Sequence, residues 1–204
     1  DDHALIQDAN QPYKWTTNFT LNEFSEIKFR QNNDWTVNWG GENFPIGWGY
    51  QEGPNIQVPA GTYMVHLNCE SGYYNFEDEA ERNALLALYN ATDGPNWSNN
   101  TNWDSNEPID TWNGVLTNEN GRVDSLWLFN NNLNGTIPTE VGNLADLISL
   151  TLSGNSLSGE LPASIGSLSN LQRLSISQCQ LSGAIPPEIG DMSSLTWIAL
   201  WQNN

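Results

Sequence analysis

Two of the six cationic side chains in this 204-residue chain, Lys28 and Arg30, alternate with Ile27 and Phe29 shortly before Trp35. Long cationic donors beside flat aromatic rings are what sugar recognition requires, because the apolar face of a pyranose stacks on a ring while the donors bond its hydroxyls. Trp35 is the natural platform, and Trp15, Trp48 and Tyr50 are further candidates. The plainer alternative is that some of these rings are core and the two cations merely solvated; Trp39, in step with Val37, reads as core. A second group lies far along the chain, where Trp127, Thr151, Arg173, Trp197 and Trp201 sit beside repeated L-x-L triplets. Exposed aromatics flanking a Ser/Thr floor grip peptides or glycans. The plainer alternative here is that Trp127 and Phe129, in the same row, pack under the preceding cap or domain and Trp197 and Trp201 under a missing continuation; Phe129 is expected to pack and Trp201 to meet ligand.

Little else supports chemistry. His3 and His66 have no Ser, Cys or ligand partner at useful spacing, so neither a triad nor a zinc site is supported. Carboxylates are abundant, which leaves a glycosidase-like pair open by inventory, but most lie in runs whose default is a solvated surface. No Asp-x-Asp-x-Asp loop points to calcium. The expectation is a non-enzyme without cofactor or metal.

The elements that must position the second group are repeats. Asn131, Asn155, Cys179 and Asn203 recur at intervals of 24 residues, each after an apolar pair: Leu126/Leu128, Leu150/Leu152, Leu174/Ile176 and Ile198/Leu200. Leu133-Asn-Gly-Thr-Ile-Pro, Leu157-Ser-Gly-Glu-Leu-Pro and Leu181-Ser-Gly-Ala-Ile-Pro follow in register. A strand alternates faces, so each pair points inward and the residue between them outward. The ladder Asn is expected to turn its amide inward onto backbone groups that the turn leaves unpaired, with Cys179 as a small substitute. Gly135, Gly159 and Gly183 allow the bend, and Pro138, Pro162 and Pro186 stop a regular helix. From about residue 123 onward the chain resembles the plant-type leucine-rich repeats, L-x-x-L-x-L-x-x-N-x-L-x-G-x-I-P. The resemblance implies a right-handed solenoid with a parallel sheet, three full repeats and a truncated fourth over residues 123–204, and says almost nothing about ligand.

Residues 1–77 read as short strands: Tyr13–Leu21, Glu26–Arg30, Asp34–Trp39, Asn55–Val58, Gly61–Asn68 and Tyr73–Phe76. Half a dozen antiparallel strands with alternating faces predict a small β-sandwich of immunoglobulin-like type. Glu26-Ile-Lys-Phe-Arg, Asn32-Asn-Asp-Trp-Thr-Val-Asn-Trp-Gly-Gly, Asn55-Ile-Gln-Val, Gly61-Thr-Tyr and Val65-His-Leu-Asn resemble the carbohydrate-binding domains of SusE/SusF surface lipoproteins, with that family's front strand missing. The resemblance implies a starch-like glucan ligand, held by Lys28 and Trp35.

Residues 78–122 read as the cap of the repeats. Acids from Glu77 open a helix whose buried stripe is Ala84, Leu85, Leu88 and Tyr89, and Trp97, Trp103 and Trp112 follow. This resembles the N-terminal cap of leucine-rich repeats without the Cys pair common in plants, which implies Trp packing in its place and a Bacteroidota-type bacterial origin. Both ends look cut from a longer protein.

A formal charge of −18 repels phosphate backbones and anionic headgroups, so nucleic acid is excluded as a partner, and no apolar run reaches the length of a membrane span. Cys69 and Cys179 fall in different domains, so no disulfide is expected. The expectation is an extracellular or outer-membrane-surface protein holding a glycan, with a protein ligand or outer-membrane complex as second partner. The alternatives are an adhesin or scaffold that uses the concave repeat face, and accessory modules of a larger secreted enzyme.

Overall fold

The computed structural model describes residues 3–31 and 34–204, with the backbone alone for Gln31, Asp34 and Trp35. The chain divides into two compact units: residues up to Glu79 together with Glu119–Gly121, and Ala80–Asn118 together with Arg122–Asn204.

In the first unit the paired strands are all antiparallel. A five-stranded sheet runs in the order Ile6–Gln7, Lys14–Leu21, Gly61–Asn68, Tyr73–Asp78, Ile46–Trp48. Its period-2 pattern turns Phe19, Tyr63, Val65, Leu67, Tyr74 and Phe76 into one core. Phe29, Ile56 and Val58 from two smaller sheets complete that core. Phe76 takes Phe19, Tyr63 and Tyr74 edge-on, with ring centroids 6.2, 6.2 and 5.9 Å away, the arrangement that aromatic quadrupoles favour. No feature singles out the immunoglobulin-like version of a sandwich.

The expected strand Glu26–Arg30 is two strands. Ser25–Ile27 pairs with Ile56–Val58, and Phe29–Gln31 pairs with Asp34–Gly40, so Lys28 stands at the break. Ile6–Gln7, Ile46–Trp48 and Tyr50–Gln51 are additional strands. They are too short for periodicity to reveal, and two of them lie in a Gly/Pro-rich stretch that reads as loop.

In the second unit, helix Glu79–Ala91 buries Ala84, Leu85, Leu88 and Tyr89, as the spacing predicts. It also buries Glu81 and Arg82, which a hydrophobic pattern cannot foresee. Trp97, Trp103 and Trp112 pack in series beside Tyr89, with successive indole centroids 4.8 and 5.0 Å apart. Each indole N–H is satisfied by a carbonyl, those of Thr92, Asn113 and Glu107, so the rings are buried without an orphaned donor.

The repeat sheet runs Val115–Thr117, Val123–Trp127, Ser149–Thr151, Arg173–Ser175, Trp197–Ala199, antiparallel at the first pairing and parallel thereafter. Leu126, Leu150, Leu174 and Ile198 stand in register, as the repeat demands. A second parallel sheet, Asn134–Thr136, Ser156–Gly159, Gln180–Leu181, was not foreseen, because the L-x-G segment reads as a bend. Its first strand needs Gly135, at φ 142°, since a Cβ there would come within 2.0 Å of the Ala91 carbonyl. Short 3-10 turns follow each Pro, at Thr139–Asn143, Ala163–Ser167 and Pro187–Asp191.

The ladder does what its chemistry requires. Asn155 donates through Nδ2 to the carbonyls of Leu128 and Leu152 at 2.8 and 2.7 Å, and its Oδ1 accepts from the amides of Asn131 and Leu133 at 2.9 and 3.0 Å. Asn203 repeats this with Ile176, Leu200 and Leu181. Cys179 keeps only weak contacts to the carbonyls of Leu152 and Ser177, at 3.6 and 3.5 Å. Asn131 reaches back to the cap instead, exchanging hydrogen bonds with the backbone of Asn99.

Candidate functional site

The outward face of the repeat sheet gathers the second set of predicted residues. Strand register places Ser125, Ser149, Arg173 and Trp197 in one row and Trp127, Thr151, Ser175 and Ala199 in the next. The inward Leu126, Leu128, Leu150, Leu152 and Leu174 are fully buried, whereas Trp127 is 52% and Trp201 56% exposed; in the last strand the expected alternation lapses, with Ile198 exposed and Ala199 buried. Phe129 is 60% exposed and corrects the expectation that it packs: its strand has ended at Trp127, and most of its ring stands in solvent.

Trp127 and Phe129 form one flank of an open groove of about 410 Å³, with Ser149 and Thr151 as floor and Arg173 opposite. The Arg173 guanidinium carbon lies 4.5 Å from the Trp197 ring centroid, a cation–π contact that fixes the side chain against the next strand. Its five N–H donors have no ion pair or hydrogen bond among the described residues, nor do the hydroxyls of Ser149 and Thr151. Farther along, Ser153, Ser175 and Ser177 engage one another, with Oγ separations of 2.8 and 3.1 Å, which makes that part of the floor rigid. The outward positions between Ser125 and Phe129, Ser149 and Ser153, Arg173 and Ser177, and Trp197 and Trp201 include no acid, in a chain that has 24.

The other cations of this unit are engaged structurally. Arg122 Nε lies 3.1 Å from Glu81 Oε1 and 3.6 Å from Asp146 Oδ2, and Glu81 Oε2 accepts the Val123 amide at 3.0 Å. Arg82 donates to the carbonyls of Ser105 and Glu107 and covers the Trp112 ring.

Among the described residues, the candidate sugar side chains of the first unit are spread over different sheets. Trp15 is half-buried against the core and is no open platform, because it shares the inward face of its strand with Phe19. The Trp35 side chain lies outside the described residues. Lys28 is half-buried at the strand break. Arg30 pairs across the sheet with Asn38, and Tyr50 with Gly40, which puts Arg30, Asn38 and Tyr50 on the face away from Phe29 and Trp39. Tyr50 is exposed there. Trp48, 67% exposed, belongs to the other sheet and meets Tyr73 edge-on at 5.7 Å. Trp39 packs on the core.

Nearby, Glu26 accepts from Asn55 at 2.9 Å and from Gln57 at 3.0 Å, and these bonds, Asn55 first, hold its carboxyl below the usual range. Burial pushes the Tyr74 hydroxyl above the ordinary tyrosine value, against a smaller opposing effect of its 2.7 Å bond to the Asn43 carbonyl. His66 is buried with its Nε2 3.2 Å from Glu77 Oε1, an interior contact whose geometry falls short of a hydrogen bond. Among the described residues no cluster of three His, Cys, Asp or Glu could hold a metal ion, and no helix is long and apolar enough to cross a membrane. Cys69 and Cys179 are both free thiols.

Two stacks of parallel strands and an inward Asn ladder mark residues 122–192 as leucine-rich repeats. Residues 122–144, 146–168 and 170–192 each match the model of the Leucine Rich Repeat family. A probable leucine-rich repeat receptor-like protein kinase of Arabidopsis thaliana is 42% identical over 78 residues, which are 38% of this chain; the chain spans 8% of that kinase's length. The BIR2 ectodomain from Arabidopsis thaliana is similar at a TM-score of 0.56 and 28% identity, over 61% of this chain and 68% of that one. The leucine-rich-repeat ectodomain of the Arabidopsis thaliana receptor kinase GASSHO1/SCHENGEN3, solved in complex with CASPARIAN STRIP INTEGRITY FACTOR 2, gives a TM-score of 0.55 at 27% identity, over 60% and 15% of the two chains. All three relatives are plant proteins. They lend no support to the SusE/SusF resemblance or to a bacterial origin.

Proposed function

We propose that the chain is an extracellular, non-catalytic binding module whose repeat sheet holds a protein or peptide segment across its concave face. The observation that carries this reading is the exposure of Trp127, Phe129, Trp197 and Trp201 on a face whose remaining outward positions are Ser, Thr, Arg173 and Ala199. Large rings standing in solvent over a rigid floor lose little conformational entropy on contact and supply most of the energy at such interfaces. The leucine-rich-repeat ectodomain of a receptor kinase, solved in complex with CASPARIAN STRIP INTEGRITY FACTOR 2, supports it. The test is selection of random 12-residue peptides displayed on phage, with the chain and its Trp127→Ala and Trp201→Ala variants as baits. Clones that bind the chain and lose at least tenfold in affinity to either variant would support the reading. Clones indifferent to both would sink it.

A second reading keeps the glycan on the first unit, and with it the outer-membrane surface address and the bacterial origin. It is favoured by Trp48 and Tyr50 standing exposed, the latter beside Arg30 and Asn38. Calorimetric titration with soluble α-glucans tests it: heat that Trp48→Ala or Tyr50→Ala abolishes would support it, and no heat with any glucan would reject it.

A further inference from the structure

On the reading that the repeat face binds a peptide, we infer that the segment it takes is extended and acidic, and that a ligand carboxylate docks between Arg173 and Ser149 while an apolar residue two or three positions away covers Trp127 and Phe129. Arg173 is a cation without an anion: its guanidinium has no hydrogen-bond or ion-pair partner among the described residues, yet Trp197 holds it at 4.5 Å beside the groove. A planar fork of donors with fixed orientation is complementary to a carboxylate and pre-pays the ordering cost of binding it. Arg122, by contrast, is already paired with Glu81 and Asp146.

Ser149 is the direct cross-strand partner of Arg173. Neighbouring strands lie about 4.8 Å apart, so a carboxylate over Arg173 has a hydroxyl donor within reach on the adjoining strand. Trp127 is on the next strand again, two steps from Arg173, or roughly 10 Å, which an extended chain covers in about three residues. The absence of acids from the outward positions around the groove removes local repulsion, although the whole chain carries −18. That distant charge is screened beyond about 8 Å once salt exceeds physiological strength, so the local Arg173 pairing decides the preference.

The experiment uses the Trp127-dependent phage clones of the preceding selection, taken at 0.3 M NaCl and synthesised as free peptides. Their affinities are measured for the chain, Arg173→Gln and the charge-matched control Lys14→Gln, on the first unit. The expected result is that the clones carry Asp or Glu two or three residues from an aromatic or aliphatic residue. They should weaken about ten- to hundredfold against Arg173→Gln, as loss of a charge-assisted pair implies, and be unchanged against Lys14→Gln. Replacing the acid by its amide should cost the chain a similar factor and Arg173→Gln almost nothing. Clones that need Trp127 but are acid-free, or are indifferent to Arg173→Gln, would overturn the inference and leave peptide binding standing. Clones that need Trp201 alone would likewise overturn the inference and leave peptide binding standing, and no clone that needs either ring would overturn both.

Discussion

Asn155 Oδ1 accepts the main-chain amide of Asn131, one repeat earlier, at 2.9 Å, and so ties its turn of the solenoid to the one before it. The same side chain serves Leu133, Leu128 and Leu152, which leaves none of its inward bonding capacity unused. Asn131 in turn holds the cap through Asn99. The ladder therefore carries order from the helix end of the unit to its last strand.

Asn155→Ala would strand two amides and two carbonyls where water does not reach. A loss of about 2–4 kcal/mol is expected in urea unfolding. Position 179 already tolerates Cys with two weak contacts, so Asn155→Cys should lose less than Asn155→Ala. An Asn155→Ala variant within about 0.5 kcal/mol of the parent would show the ladder to be ornamental.

Glu81 is fully buried on the helix and serves two masters, the Arg122 guanidinium and the Val123 amide. Glu81→Gln retains an acceptor for the amide and should cost about 1 kcal/mol. Glu81→Ala leaves both groups unmet and should cost about 2–3 kcal/mol, less than for a wholly buried pair because Arg122 is part-exposed. The ordering of the two variants by thermal unfolding is the check. Equal losses would mean that the amide bond matters little.

Phe129→Ala and Trp127→Ala should leave stability within about 0.5 kcal/mol, because neither ring is core. Folded stability unchanged while peptide binding falls marks a binding surface. A melting point lowered by several degrees would instead restore the packing role expected of Phe129 from sequence.

Tyr74 lies in the aromatic core of the first unit, and burial holds its hydroxyl in the neutral form. The folded-state value is raised, so its contribution to stability is fully present below the ordinary tyrosine value of about 10 and is lost as pH climbs from there through the folded value. Urea midpoints measured from pH 8 to pH 11 should fall at the alkaline end, and Tyr74→Phe should blunt that fall. It should also be less stable at pH 8, for want of the bond to the Asn43 carbonyl. An alkaline fall identical in both proteins would assign it to other groups.

The repeat was legible in the sequence because a 24-residue period writes itself in many columns at once. Leu126, Leu150 and Leu174 must point inward in register, and Asn155 has one useful place for its amide. The helix stripe at Ala84, Leu85, Leu88 and Tyr89 was readable for the same reason, a local period set by backbone geometry. What the sequence could not decide was whatever depends on non-local pairing. It could not split Glu26–Arg30 at Lys28, because the break exists only where two different partner strands, Ile56–Val58 and Asp34–Gly40, claim its halves. It could not separate Trp15 in the core from Trp48 in solvent, since a ring's exposure is set by what the opposite layer brings over it. Nor could it foresee that Arg173 would lean on Trp197 beside an open groove, or that Glu81 would be drawn inside to meet Arg122. Periodicity determined which residues face inward; only the stacking of one strand on another decided which outward residues stand together and which of them remain uncovered.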